Sequence, residues 1–432
     1  MTCKESFDKI PEIITDPRTE HLIKYQMPAV IMEGILIHLL NTGSKYNINY
    51  KLKHKSIVDS VNKFLGSDME RLSHGDNIEK IFKKLSPEEL QNFLTDIIRY
   101  LIRSKKIKEK NKLFGKYFMI AIDMTQTHKL NKNILQSGKK IEGLSYQKSN
   151  GKIIYSRKVV EAKLILFNKL SLPIMTEFVR NDDEKEFDKQ DCELKAAYRL
   201  MDNLKKTYPK LEICLLLDGL YPNETVFQKC KKYNWKYIIT LKEGKIPTLY
   251  QKFIEFKKIG YYKEKKKQIT FDTHQRFKFT AIKYSDYLLT CIQIKEYVKF
   301  EGLKYYNLFI TNLDVTEDNF YKIVRAGRLR WKIEHAFNKQ KNLLFNLKHI
   351  YSKNENASKC YHILLQISDL NFQFMAYTYN LEGDNLLYQE FGSLIEFLAE
   401  IYISFRVDVA EKEKFDYIKH LILIEPSKKK IS

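Results

Sequence analysis

Two short hydrophobic runs that each end on an aspartate are the first places in this chain where chemistry could reside. Tyr117-Phe118-Met119-Ile120-Ala121-Ile122 is followed by Asp123, and Ile213-Cys214-Leu215-Leu216-Leu217 by Asp218-Gly219. Apolar runs of this length predict buried strands. Each carboxylate is therefore expected at the carboxyl edge of a sheet, anchored by the core yet open to a cation. If the strands are neighbours, the two aspartates can share a metal ion, and hard oxygen ligands with room for water suit Mg²⁺ or Mn²⁺. The competing explanation for either residue alone is turn formation, for which Asp218-Gly219 is a good signal.

A third acid lies in a basic segment, Arg328-Leu329-Arg330-Trp331-Lys332-Ile333-Glu334-His335-Ala336-Phe337-Asn338-Lys339-Gln340-Lys341. At helical spacing Arg330, Glu334, Asn338 and Lys341 share one stripe, while Leu329, Ile333 and Phe337 turn to an apolar side. A carboxylate between two cations suits an acid, metal and phosphate face; an exposed helix with i, i+4 ion pairs is the plainer alternative. His128 and His335 adjoin the acids in sequence, with solvation or packing as the alternative to a direct role. Asp182, Asp183, Glu184, Asp191 and Glu193 surround the start of a helix, where acids complement its dipole.

The 432 residues carry 75 Lys and Arg against 53 Asp and Glu, a formal charge of +22, which invites a polyanionic partner. Of those cations 63 are Lys, and abundant Lys, Ile, Asn and Tyr would also follow from an A+T-rich genome, so charge alone does not decide. Six widely spaced Cys with no CxxC pair argue against a disulfide framework or zinc ribbon. MTCKESFDKIPEI has no signal-peptide core, and the apolar stretch Pro28 to Leu40 is too short to span a bilayer and contains Glu33 and His38. A soluble, cytoplasmic protein is expected.

The elements that must position these residues can be read coarsely. Residues 1–112 are helical; Ser86-Pro87-Glu88-Glu89 has the signature of a capped helix start, followed by Leu90, Phe93, Leu94, Ile97, Ile98 and Leu101 at helical spacing. Strands are expected at 117–122, 153–167, 172–179, 213–217 and 235–241, with helices at 192–205 and 224–232. The order β, β, β, α, β, α, β with continuous apolar strands indicates an α/β mixed sheet buried on both faces. Residues 259–312 look like a β-rich insertion, with strands at 268–271, 277–284, 287–294 and 305–311. Lys263 and Lys265-Lys266-Lys267 are expected at a hairpin tip. Thr316 is expected to cap a helix, a longer helix to cover 328–344, and residues 379–432 to form a helical tail ending in Lys428-Lys429-Lys430. Lys129, Lys132, Lys139, Lys140, Lys148 and Lys152 face only Glu142 in a cationic connection between strands one and two.

The aspartate after strand one, CLLLDGLYPN, WKYIITLKEG and RLRWKIEHAFNKQKN together resemble the DDE transposases of bacterial insertion sequences, over about residues 75–373. The likeness is to those with a ribonuclease-H-like catalytic domain split by a strand-rich insertion. It implies a catalytic domain in the pieces 113–258 and 313–378 around the insertion, with 1–112 binding DNA ends. It further implies that Asp123, Asp218 and Glu334 are the catalytic, metal-binding triad for Mg²⁺ or Mn²⁺, normally two ions. Arg330 and Lys341 would contact DNA phosphates; Asn338 and the basic stretches with Lys139, Lys140, Lys265 and Lys266 are read as adding to the DNA surface, with solvated charge runs as the equal alternative for the lysines. The activity implied is cut-and-paste transposition: strand cleavage at element ends and strand transfer into target DNA by a homo-oligomer, such as a dimer, on double-stranded DNA. A nuclease or resolvase on the same fold, or an inactive DNA-binding relic, are the alternatives. The family signature often has Tyr three residues before the Arg, where this chain has Gly327; Trp331 or Tyr321 could substitute.

Overall fold

The computed structural model describes residues 3–130, 144–149, 152–167, 170–179 and 192–377. Lys132, Lys139, Lys140, Glu142, Asp182, Asp183, Glu184, Asp191 and the C-terminal tail lie outside the described residues.

Seven helices open the chain: α1 (Cys3–Asp8), α2 (Ile10–Ile13), α3 (Met27–Leu39), α4 (Lys45–Lys51), α5 (Lys55–Leu65), α6 (Gly75–Phe82) and α7 (Pro87–Arg103). The start of α7 follows its sequence signature only in part. Ser86 Oγ accepts from the Glu89 amide at 3.2 Å, but the Glu89 carboxylate accepts from Thr15 N and Oγ1, both at 2.9 Å, and so ties the chain ahead of α3 to α7. All six expected apolar residues of α7 are buried.

A ten-stranded mixed sheet follows: β1 (Phe118–Leu130), β2 (Ser145–Ser149), β3 (Lys152–Ile165), β4 (Ser171–Phe178), β5 (Ile213–Leu217), β6 (Lys236–Thr240), β7 (Lys263–Gln268), β8 (Thr273–Tyr284), β9 (Tyr287–Val298) and β10 (Gly302–Thr311). Their spatial order is β2-β3-β1-β5-β6-β10-β9-β8-β7, with β4 also paired to β3. The interleaved helices are α8 (Glu193–Thr207), α9 (Glu224–Tyr233), α10 (Pro247–Lys258), α11 (Phe320–Arg328), α12 (Trp331–Asn342) and α13 (Glu355–Tyr377). β5 and β6 are apolar in the continuous manner of parallel strands covered on both faces.

The two faces have separate cores. Ala121, Cys214, Leu216, Ile238, Phe309, Ile292, Ile294, Phe277 and Phe279 pack with α11 and α12 through Phe320, Ile323, Ile333 and Phe337. Ile120, Leu215, Leu217, Ile239, Leu308 and Ile310 belong to the core of the opposite face, which holds residues of α8, α9 and α10 and continues into the N-terminal helices and α13. The N-terminal helices thus share a core with the sheet.

Some sequence expectations need correction. β1 does not stop at Asp123; it runs on to Leu130, because antiparallel β3 continues to pair with it after parallel β5 has ended. The strands of the β-rich insertion are joined to the main sheet through β10, which pairs with β6. Lys263, Lys265, Lys266 and Lys267 lie in β7 rather than at a tip, and the turn is 269–272. Finally, the expected helix over 328–344 is broken. α11 ends at Arg328, and Leu329 and Arg330 bond back three residues to Ala326 and Gly327, so α12 starts at Trp331. Its predecessor starts at Phe320, with Thr316 supplying a backbone oxygen rather than a side-chain cap.

Gly327 explains how α11 approaches the sheet. A Cβ built there would stand 2.9 Å from Phe309 Cε1 and 3.0 Å from Ile238 Cγ2. No tyrosine fits at this position, because the direction of its side chain is filled by β6 and β10. Gly327→Ala is expected to lose about 1–3 kcal/mol through overpacking, read by urea unfolding; unchanged stability would contradict this close approach.

Candidate active site

The parallel pairing of β1 with β5 determines where the aspartates meet. Phe118 pairs with Ile213, Met119 with Cys214, Ile120 with Leu215 and Ala121 with Leu216. Continued by two residues, this register sets Asp123 beside Asp218, one strand spacing away, about 4.8 Å. Because side chains alternate along a strand, Asp123 follows Met119 and Ala121 onto the face that carries α11 and α12. Asp123 therefore sits where the parallel ladder opens, even though its own strand continues.

Each aspartate is oriented by the backbone. Asp123 Oδ1 accepts from the Met124 amide at 2.9 Å, and Asp218 Oδ1 from the Leu220 amide at 2.8 Å. Asp218 Oδ2 lies 3.9 Å from Lys242 Nζ. The lysine stem crosses Gly219, where a Cβ would stand 2.6 Å from Lys242 Cδ, so the residue after Asp218 must stay small for that cation to be where it is.

Burial pushes the Asp123 carboxyl up from the usual 3.8 to about 7; the negative charges of Glu193 and Asp218 add to this, and Arg330 opposes it. Glu193 is an acid that spacing did not select. It opens α8, and its Oε1 accepts from the hydroxyl of fully buried Tyr221 at 2.8 Å. Burial and the Asp218 charge push its carboxyl upward too. Seventy residues separate it from Asp123, so no local pattern could have brought it forward; the dipole complement read from the sequence is compatible with this second position.

Glu334 stands in the first turn of α12, where the helix dipole favours an acid. Its Oε1 accepts from Arg330 at 2.6 Å. Arg330 is nearly buried, lies in the residue before the helix and stacks toward Trp331, 5.1 Å from its ring. One guanidinium therefore binds Glu334 and also acts on Asp123. Lys341 is half-buried, which lowers its pKa, as does Lys348, while Asp123 works in the opposite direction. Asn338 is exposed and accepts from Asn342 Nδ2 at 2.6 Å. His335 is exposed.

A buried polar network fixes α12 in place. Gln340 Nε2 donates to Asp369 Oδ2 at 2.7 Å and to Gln366 Oε1 at 3.0 Å, and fully buried Lys163 of β3 donates to Gln366 Oε1 at 2.9 Å. Lys332 Nζ adds a bond to the Leu166 carbonyl at 3.2 Å.

The structure thus brings Asp123, Asp218, Arg330, Glu334 and Lys341 into one neighbourhood. Lys265 and Lys266 lie apart from it on β7, with Lys265 held by Glu317 at 2.6 Å. Among the described residues no three Asp, Glu, His or Cys side chains form a ready-made metal-ligand group. The donor chemistry still suits a hard divalent cation, since both aspartates offer carboxylate oxygens and the charge of Asp218 adds to the proton affinity of Asp123. Glu334 is turned onto Arg330 instead.

The proton on Asp123 has a measurable consequence. With its folded pKa near 7 and its usual value 3.8, metal-free folded protein binds the extra proton between those limits, so this residue costs stability increasingly as pH rises from 4 to 7. Asp123→Asn should be more stable than wild type at pH 8, by a margin that disappears near pH 4. Urea unfolding in a chelator checks this; a margin independent of pH would contradict the assigned environment.

A search of curated proteins finds no match. The family model of the transposase DDE domain matches residues 188–368, a stretch that includes Asp218, Arg330, Glu334 and Lys341 and begins after Asp123. The matched stretch, less than half of the chain, is similar to the DDE domain of transposases.

Proposed function

We propose that the protein is a divalent-metal-dependent DNA transposase that cuts the ends of its element and joins them to target DNA by the cut-and-paste route. In this reading the sheet from β1 to β6 with its helices is a ribonuclease-H-like catalytic core, and Asp123, Asp218 and Glu334 are its triad. The observation that carries it is the register of β1 and β5, which levels the two aspartates beside the Arg330–Glu334 pair.

Mg²⁺ or Mn²⁺, as two ions, would be held by Asp123 and Asp218 with Glu334, and would supply activation of water or a DNA 3′-hydroxyl and stabilisation of the departing oxyanion. The chain's own residues prepare for this. Asp123 keeps its proton near neutral pH until a cation offsets the charges around it. Arg330 engages the Glu334 carboxylate in an ion pair of 2.6 Å. A DNA phosphate entering beside Arg330 competes for the guanidinium, and the Glu334 carboxylate is then free to turn toward Asp123 and Asp218. Arg is suited to this exchange because its planar fork pairs equally with carboxylate and phosphate. Lys341 and exposed Asn338 extend the phosphate contact along α12, and Lys242 guards the outer oxygen of Asp218. Half-exposed Trp331 is the aromatic available beside Arg330, since Tyr321 is covered by the Lys267 ammonium, 3.3 Å from its ring.

DNA is accordingly the substrate, with a homo-oligomer on paired ends as the working assembly. Among the described residues no helix is long and apolar enough to cross a membrane.

Asp218→Asn is expected to bind duplex DNA at wild-type level and to lose Mg²⁺-dependent nicking by at least about a hundredfold. Nicking that survived the change would overturn the triad. A precleaved end incubated with plasmid and Mg²⁺ should give joined product; cut DNA without joining would point to a nuclease instead.

A further inference from the structure

The strands of the insertion carry charge very differently on their two faces. On the α11 face each cation of β7 has a partner: Lys263 and Lys265 meet Glu317 at 4.0 and 2.6 Å, and Lys267 covers Tyr321. Arg328 pairs there with Glu296 at 3.2 Å. On the opposite face, Lys266 of β7 is in direct register with Arg276 of β8, and Arg276 with Lys295 of β9. Like charges placed directly opposite across strands repel. None of these three has an ion pair among the described residues. Arg276 only lies over Tyr297, 5.3 Å from its ring, and that ring is stacked on His274. Lys257 of α10 borders the same row, close enough that Lys295 and Lys278 oppose its charge.

We propose that this cross-strand row of Lys266, Arg276 and Lys295 is a docking surface for the sugar–phosphate backbone of duplex DNA, separate from the contacts around Glu334. The inference rests on DNA being the substrate. Glu264, the acid beside Lys266 on that face, is taken by Lys278 at 3.4 Å, so three aligned cations with no ion-pair partner of their own are unfavourable in the free protein and become favourable against a line of phosphates, with release of counterions. Tyr297, stacked on His274, and exposed Tyr306, the register partner of Lys295, place aromatic side chains beside the row.

Register also places the row in reach of the site. Leu217 pairs with Ile239 and Thr240 with Phe309, so Phe309 is level with Asp218. Tyr306, the β10 partner of Lys295, is three residues nearer the free end of β10, which sets the row about 10 Å beyond that level. Laterally, β9 and β7 are three and five strands from β5, or about 14 and 24 Å. Asp123 faces α11 and α12 and the row faces the other way, so a duplex that touches both has to cross the carboxyl edge of the sheet between them.

The test compares duplex binding by full-length proteins in a chelator, with a duplex of about 30 base pairs of arbitrary sequence, as a function of salt. The variant Lys266→Gln/Arg276→Gln/Lys295→Gln should bind more weakly and lower the slope of log K against log salt by about 2 to 3, near 0.9 per lost phosphate contact. It should unfold no earlier than wild type, since repulsion has been removed. Lys263→Gln/Lys267→Gln, on the other face, should leave the slope unchanged. Arg276→Gln alone, expected to remove about one unit, gives the same answer should the triple variant not fold. A wild-type slope in the triple and single variants, an equal fall in the opposite-face variant, or no duplex binding by wild type would overturn the proposal. None of these readings requires cleavage, so nicking that persisted in Asp218→Asn would remove the catalytic assignment and leave this result standing.

Discussion

The parallel pairing of β1 with β5 is the constraint from which the rest of the candidate site follows. A slip of one residue would turn Asp123 to the opposite face of the sheet, away from α11 and α12. The apolar side chains that prevent the slip are divided between two cores, Met119, Ala121, Cys214 and Leu216 on one side and Ile120, Ile122, Leu215 and Leu217 on the other. Any shift would have to exchange both sets at once. The alignment of two carboxylates is thus secured by hydrophobic burial rather than by the carboxylates, which repel one another.

That repulsion is balanced by few cations. Arg330 serves Glu334 by a direct bond and Asp123 through space, while Lys242 and Lys341 approach from either side. Since α12 is tied to β3 and α13 through Gln340, Lys163, Gln366 and Asp369, its position is rigid and adjustment is confined to side chains at its first turn. In the proposed function the site changes state by exchanging partners at Arg330, which needs only side chains of the first turn to move.

Much of the fold was legible in the sequence because the buried strands are continuous apolar runs: β5, β6 and the hydrophobic half of β1 have no polar interruption. Asp123 was misread as a strand end for the same reason. The second half of β1, Met124 to Leu130, is mixed in polarity and owes its extension to pairing with β3, a long-range contact that no local pattern announces. β7 was displaced toward residues 268–271 because Lys-Glu-Lys-Lys-Lys-Gln has no apolar side chain to mark it. The helix expected over 328–344 begins instead at Trp331, and the break at Leu329 and Arg330 contains neither Pro nor Gly to announce it, while the stripe from Arg330 to Lys341 lies within α12 and the residue before it. Glu193 was visible only as a helix-terminal acid. Its approach to the aspartates depends on where α8 starts against the sheet and on the Tyr221 hydroxyl, both set by tertiary structure. The +22 charge, uninformative in total, becomes informative once faces are separated, because β7 spends its cations on Glu317 on one side and leaves Lys266 beside Arg276 and Lys295 on the other.

The central claim is that Asp123 and Asp218 form one cation site. Titration of Mn²⁺ into the metal-free protein at pH 8, followed by loss of the free-ion electron paramagnetic resonance signal, measures it directly. The account predicts saturable binding by wild type that is lost in Asp123→Asn/Asp218→Asn. Equal Mn²⁺ uptake by wild type and the double variant would contradict it.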